Sequence, residues 1–338
     1  MILPSSYGAA LLLTVLAMLC WGSWANTFKL SGKWRFELFY FDYSLGVLMA
    51  AVVAALSFGS LGGELSFRDN MDMAGKTQMA YAFAGGVIFN LANMLLVAAI
   101  SLAGMAVAFP VAIGLALVIG VGWNYFLNPQ GNPFFLAGGV ALVMAAIVMD
   151  ALAYWAHSAE QRKGKARRGV GARSLLLCLV SGLLMGSFYP LVALSMQGDI
   201  VGLIPYSAAV VFAIGVFLST FVFNLYFMNL PVEGKPIRLG AYFLGTRRQH
   251  LLGIAGGMIW SIGAVANFVA SSAPKAVHVG PAISYAIGQG ATMVSALWGL
   301  LVWKEFAGAS SKVRRRLALM LICFVLGLAL ISLAPLFS

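Results

Sequence analysis

The residues best suited to recognise a solute are amides, aromatic rings and hydroxyls set inside long apolar runs. Amides both donate and accept hydrogen bonds, and indole or phenol rings can wall a small molecule. We expect a substrate-binding site formed at mid-depth in a membrane by Trp21, Trp24, Asn90, Asn93, Ser187, Tyr189, Trp260, Asn267 and Gln289. Asn90 and Asn93 are three residues apart, so they share one helical face. For each amide the alternative role is an interhelical hydrogen bond, worth about 0.6 kcal/mol on average.

Charged residues are almost absent from the middle of the apolar runs. A charge at the centre of a membrane helix costs about 2.5–3.5 kcal/mol on insertion scales, and no fixed counter-charge for a charged solute stands there. We therefore expect a small, neutral, polar solute. Asp42 and Asp150 each lie several residues inside an apolar run and are the candidates for ion coupling, to a proton or to sodium. Pairing with cytoplasmic Lys or Arg is their alternative role.

The sequence carries no pattern typical of an enzyme. It lacks HExxH, a Walker A loop and GxSxG. Cys20, Cys178 and Cys323 lie within apolar runs without the spacing of a metal site or a disulfide framework. We predict no catalytic residue, no metal and no cofactor, and we keep a membrane-embedded enzyme only as a minor alternative.

The composition is that of an integral membrane protein. The chain is 62% hydrophobic and 9% charged, whereas soluble domains are about 45–50% apolar. The net charge is +11, and the basic residues lie between the apolar runs. Basic residues in such loops set membrane orientation, so nucleic acid is not an expected partner. No Lys or Arg precedes Lys29, so the first apolar run lacks the basic start of a signal peptide and is expected to remain as a helix.

The predicted fold is all-α, with ten transmembrane helices. A membrane helix needs about 20 apolar residues. Runs of that kind occupy 7–28, 37–58, 78–100, 104–127, 132–156, 174–196, 203–228, 250–272, 278–303 and 315–335.

The loop charges give this chain an orientation. Eighteen of its 21 Lys and Arg residues fall in the odd-numbered loops. Because cytoplasmic loops are enriched in these residues, the odd loops are predicted to be cytoplasmic and both termini to face outward, in a plasma or inner membrane.

Two stretches of the chain repeat each other. Ala84–Pro110 and Ala255–Pro281 share an Ala-Gly-Gly start and a final proline, always 171 residues apart. With five helices in each half, an odd number, the second copy would enter the membrane from the side opposite to the first. We predict a 5+5 inverted repeat, with a first repeat at 1–156, a basic cytoplasmic linker at 157–173 and a second repeat at 174–338. Inverted repeats are a common basis of alternating access, in which one bundle moves against the other around a midplane site.

Several segments are similar to a known family. They are CWGSWANTFKL (20–30), WRFELFYFDYSLG (34–46), the AGG stretch with Asn93, NYFLNPQGNP (124–133) and LWGLLVWKEF (297–306). They resemble the ten-helix branch of the drug/metabolite transporter superfamily, which includes ureide permeases, glucose/ribose porters and the rhamnose-proton symporter. The chain differs from plant ureide permeases in its short central loop, which lacks their long insertion.

The resemblance implies a secondary importer, proton-coupled in many relatives. It favours a monosaccharide as first choice of solute, with a ureide or nucleobase such as allantoin, uracil or xanthine as the alternative. An exporter of lipophilic cations is a further alternative, although it would need an acidic residue at mid-helix.

Overall fold

The structure is a computed structural model, and it is built from helices. The residues that it describes are 1–62, 65–103, 108–161, 172–198, 201–231, 234–274, 277 and 279–337. No strand occurs among them. Within these residues nine helices are long and apolar enough to cross a membrane, and a tenth, Val111–Leu127, is shorter. The predicted all-α class with ten membrane helices is confirmed.

The ten helices are numbered α1 to α10 in chain order. The predicted first repeat contains α1 (Tyr7–Leu30), α2 (Phe36–Leu56), α3 (Lys76–Ala103), α4 (Val111–Leu127) and α5 (Pro133–Gln161). The second contains α6 (Ala172–Ser195), α7 (Pro205–Asn229), α8 (Arg247–Ser271), α9 (Pro281–Val302) and α10 (Ser311–Leu333).

The helix starts follow from local sequence. Ser6 and Ser310 each accept a hydrogen bond from a backbone N–H in the first turn that follows, and Thr246 forms a reciprocal capping box with Gln249. Such caps satisfy N–H groups that have no partner within the helix. Pro205 and Pro281 occupy the first helical position of α7 and α9, where the missing N–H costs nothing.

Glycines on α3 and α8 make equivalent contacts in the two repeats. A Cβ at Gly86 on α3 would lie 2.1 Å from the carbonyl oxygen of Phe212 on α7, and one at Gly257 on α8 would lie 1.9 Å from that of Tyr43 on α2. Gly86 and Gly257 are 171 residues apart, and their partners are 169 apart. Only glycine permits such backbone approach between membrane helices.

The partner helices carry the matching glycines. A Cβ at Gly46 on α2 would lie 2.1 Å from the carbonyl oxygen of Ile254, and one at Gly215 on α7 would lie 2.4 Å from that of Phe83. The α2–α8 and α3–α7 pairs thus use the same packing, and each pair joins one helix from each predicted repeat. These reciprocal contacts support the predicted inverted repeat.

Both termini lie at one end of the bundle. The N–H of Ile2 donates to the carbonyl of Phe58, beyond the end of α2, and the hydroxyl of Tyr7 donates to the carbonyl of Ser332 near the end of α10. We call this the terminal end and the other the loop-one end, since the loop between α1 and α2 lies there.

The predicted linker differs from the structure at its start. α5 continues to Gln161, so its last turn includes residues assigned to the linker at 157. Most of the remaining linker, and the start of the fourth predicted helix at 104–107, lie outside the described residues. The division into 1–156, 157–173 and 174–338 stays a prediction.

Candidate functional site

A cavity of about 430 Å³ opens between helices of both repeats. Its lining includes Phe28 and Phe36 from the loop-one end of α1 and α2, and Ile100 from the same end of α3. Its inner part is lined by Phe89 on α3 and Trp260 on α8. The cavity therefore runs from mid-depth towards the loop-one end, which the loop charges predict to be cytoplasmic.

Aromatic rings form the inner wall of this cavity. Trp21 and Trp260 are stacked with centroids 6.0 Å apart and an interplanar angle of 18°. Phe89 lies against Trp260 at 4.3 Å. Trp24 and Phe188 complete the wall, each on the first helix of its repeat. Flat faces arranged in this way suit a flat ring, because offset stacking is favourable between π systems.

Two amides in the wall, Asn93 and Gln289, have hydrogen-bonding capacity to spare. The amide nitrogen of Asn93 donates to the hydroxyl of Tyr40 at 3.0 Å, which leaves the Asn93 oxygen without a partner among the described residues. The indole nitrogen of Trp21 also has no partner in the described part of the chain, but it is buried against Gly263 on α8, so only the ring of Trp21 faces the cavity. The side chain of Gln289 likewise makes no hydrogen bond to any described residue, and it lines the cavity. The site thus offers donors and acceptors but no charge.

α9 is interrupted where it meets the cavity. Its first segment ends at Gly288 and its second begins at Ala291, so Gln289 and Gly290 lie between them. The N–H of Thr292 bonds to the carbonyl of Gln289, three residues back instead of four. Discontinuous helices are typical of transporter sites, because backbone freed from the helix can face the solute only where it lines a cavity.

Asn90 faces α7 and does not line the cavity. Its amide nitrogen donates to the carbonyl of Val216 at 3.1 Å and to the hydroxyls of Ser219 and Thr220 at 2.8 and 3.1 Å. All three acceptors are on α7. Asn90 therefore has the interhelical role named above as the alternative to solute binding.

Tyr189 and Asn267 are buried together between the cavity and the terminal end. The Tyr189 hydroxyl donates to the side-chain oxygen of Asn267, whose nitrogen donates to the carbonyl of Ser284 at 3.0 Å. The Ser284 hydroxyl donates back to the carbonyl of Asn267 at 3.1 Å. We call these three residues the buried polar layer.

Ser187 lies outside this layer. Its hydroxyl donates to the carbonyl of Leu183 in its own helix at 2.6 Å. None of the side chains of Ser187, Tyr189 and Asn267 lines the cavity.

Asp42 is held by residues from α8 and the loop before it. Its carboxylate contacts His250 at 2.7 Å and accepts a hydrogen bond from the hydroxyl of Tyr242 at 2.6 Å. Asp42 is 2% exposed, and Trp34 packs edge-on against His250. Burial, and the Asp42 carboxylate beside it, raise the pKa of Tyr242. In the described residues the partner of Asp42 is a histidine, and not a Lys or Arg.

Asp150 lies near a second cluster at the loop-one end. Glu305 accepts from Lys29 and from the hydroxyl of Tyr154, each at 2.6 Å. Burial opposes ionisation of Glu305, but these two hydrogen bonds keep its pKa below the usual value. One carboxylate oxygen of Asp150 is buried without a partner among the described residues. Neither Asp42 nor Asp150 lines the cavity, so any coupling role would act through the helices.

The structure adds residues that the sequence did not single out as solute contacts. Thr292 and Ser295 follow Gln289 at three-residue steps and line the cavity with it. A Gly-Gln-Gly sequence at 288–290 was the signal available, since glycine weakens a helix interior. For His250, 208 residues from Asp42, the sequence offered no signal.

Comparison with known proteins gives consistent matches. The family model described as ureide permease matches residues 39–170. Ureide permease 1 of Arabidopsis thaliana is 24% identical over 389 aligned positions, which cover 98% of each chain. Ureide permease 2 of the same plant is 23% identical over 401 positions, with the same coverage. The chain is similar to the ureide permeases along nearly its whole length.

The fold has a counterpart among solved structures. One crystal structure superposes with a TM-score of 0.62 at 18% identity, covering 97% of this chain and 98% of the other. That likeness concerns the fold alone. The sequence relatives are named as permeases, and together with the apolar helices they support a multi-pass membrane transporter and not an enzyme.

Proposed function

We propose that the protein is a secondary carrier that imports a small, neutral, planar solute of the ureide or nucleobase type. The observation that carries the proposal is the cavity itself, with stacked rings as walls, two amides at its edge and no charged residue in its lining. An amide presents one acceptor and two donor hydrogens, which complements the N–H and C=O groups on the rim of such solutes.

The ureide class takes precedence over the monosaccharide that the sequence alone favoured. A sugar ring carries hydroxyls around its whole circumference, and each one would need a partner, because a buried polar group left unpaired costs about 1–3 kcal/mol. The polar side chains of the cavity come from Asn93 on α3 and from Gln289, Thr292 and Ser295 along one face of α9, and most of its remaining lining is apolar. The relatives named as ureide permeases support the same order.

Coupling to a proton is part of the proposal. Asp42 is buried and bonded to His250, and histidine side chains commonly relay protons in proteins. The alternative exporter of lipophilic cations would need an acidic wall, which the cavity lining does not provide.

The test is a thermal-shift screen of purified protein followed by counterflow in proteoliposomes. Allantoin, uracil and xanthine should raise the melting temperature, whereas glucose, ribose and lipophilic cations should not. A stabilising ureide should then exchange against itself across the vesicle membrane, faster than in empty vesicles. Stabilisation by monosaccharides alone, or by lipophilic cations alone, would overturn the proposed solute class.

A further inference from the structure

A second, smaller pocket lies at the terminal end of the bundle. Its volume is about 200 Å³, which is ample for several water molecules. Its polar lining comes from Asn124 and Asn128 at the end of α4, Gln197 after α6, and Ser271 and Ser272 at the end of α8. We call it the vestibule. Among its described residues the lining is polar but uncharged, as in the central cavity.

One lining residue has an unsatisfied acceptor. Asn124 is fully buried, and its amide nitrogen donates to the carbonyl of Gly120 at 2.7 Å. Its side-chain oxygen is buried without a hydrogen-bond partner among the described residues. A buried acceptor left unpaired is unfavourable, and a solute N–H in the vestibule would satisfy it.

The vestibule and the central cavity lie on one path. Along α8 the order is Trp260 in the cavity, Asn267 in the buried polar layer and Ser271 in the vestibule. Along α9 the reverse order places Ser284 of that layer between Pro281 in the vestibule and Gln289 in the cavity. The buried polar layer therefore separates two uncharged pockets.

The repeat relates the vestibule to the open mouth of the cavity. Ser271 and Asn124 line the vestibule, and the residues 171 positions away from each, Ile100 and Ser295, line the central cavity. In an inverted repeat the two halves exchange arrangements during alternating access. The vestibule then corresponds to the second mouth, closed in this conformation.

We propose that the vestibule is an entry subsite for the same class of neutral, amide-bearing solute, with Asn124 as its acceptor, and that the Tyr189–Asn267–Ser284 layer is the gate beneath it. The inference rests on the proposed function. A solute held by Asn124 waits above the gate, and breaking the Tyr189–Asn267 hydrogen bond opens the way to the central cavity.

The test compares Asn124→Ala with Asn229→Ala. Both asparagines donate to the carbonyl four residues back at 2.7 Å, but Asn229 is exposed on α7 outside both pockets. Asn124→Ala should raise the KM for initial uptake of a labelled ureide about three- to tenfold, as loss of one hydrogen bond does. Asn229→Ala should leave it unchanged. Equilibrium binding at the central cavity, read from tryptophan fluorescence, should be the same in both variants and in the natural protein.

An unchanged KM in Asn124→Ala with binding intact would overturn the entry subsite and leave the proposed function standing. Absence of ureide binding and uptake in the natural protein would instead overturn the proposed function. Should Asn124→Ala fail to fold, Gln197→Cys in a background without Cys20, Cys178 and Cys323 provides the second readout. Saturating ureide should slow its reaction with a thiol reagent added to both sides, and an unaffected rate would overturn the subsite.

Discussion

Phe89 and Trp260 are 171 residues apart in sequence, and their rings lie 4.3 Å apart with planes inclined by 30°. Each follows the Ala-Gly-Gly of its own repeat at the same distance, one on α3 and one on α8. The pseudo-two-fold axis expected for the predicted inverted repeat would therefore pass between these two rings. Both rings line the cavity, so the proposed site lies on the axis, where it keeps its depth as the repeats rearrange.

The stacked wall should contribute directly to affinity. Trp260→Phe removes part of the face that stacks on Trp21, and an aromatic pair contributes about 0.5–1.5 kcal/mol beyond its buried area. We expect the Kd for a ureide, measured by calorimetry, to rise about two- to tenfold. Trp123→Phe, on a residue that is 40% exposed on α4, is the control and should leave the Kd unchanged. An equal effect in both variants would contradict the stacked wall.

Asn90 and Asn93 should separate stability from binding. Asn93→Leu removes the amide that faces the cavity and should weaken ureide binding about three- to tenfold. Asn90→Leu breaks the bonds to Val216, Ser219 and Thr220 on α7, so it should lower the melting temperature and leave the Kd of the folded protein unchanged. Weaker ureide binding in Asn90→Leu, with only a lower melting temperature in Asn93→Leu, would contradict this assignment of the two side chains.

The glycine contacts predict which positions tolerate a methyl group. Gly257→Ala would place a Cβ 1.9 Å from the carbonyl oxygen of Tyr43, so α2 and α8 must separate, at a cost of at least about 1–3 kcal/mol. Gly122 has no atom within 4 Å of its added Cβ. Gly122→Ala should keep or slightly raise stability, because alanine favours helix by about 1 kcal/mol over glycine. Melting temperatures in one detergent measure both, and a stable Gly257→Ala protein would contradict the packing.

Asp42 should be required for coupling and not for solute exchange. Asp42→Asn keeps the size of the side chain but removes its ability to take up a proton from His250, which lies 2.7 Å away. Uptake driven by a pH gradient should be lost, while exchange of preloaded solute persists. Asp150→Asn, the variant of the other candidate for ion coupling, is measured in the same uptake and exchange assays. Gradient-driven uptake with an unchanged pH dependence in Asp42→Asn would leave Asp42 as a structural partner of His250.

The sequence predicted the framework well because its signals are long and repetitive. The ten apolar runs and the 171-residue spacing of the two similar stretches each describe tens of residues at once. Phe89 and Trp260 occupy equivalent positions of the two similar stretches. The length of the apolar runs sufficed to predict ten membrane helices.

Individual site residues were harder, because a small rotation about a helix decides their role. Asn90 and Asn93 differ by only about 60° around α3 at 100° per residue, yet one meets α7 and the other the cavity. Tyr189 and Asn267 have the composition of a binding site but satisfy each other. The interruption of α9 lies at Gly288 and Gly290, on either side of Gln289. A glycine in a helix does not by itself predict an interruption, because the packing around it decides whether the helix continues.

The most direct test of the proposed site is protection of a cysteine placed in its wall. Ser295 lines the central cavity, whereas Ser57 lies at the end of α2, away from it. In a background without the three natural cysteines, allantoin should slow modification of Ser295→Cys in proportion to occupancy and leave Ser57→Cys unaffected, and glucose should protect neither. Modification of Ser295→Cys at the same rate with and without saturating allantoin would contradict the account.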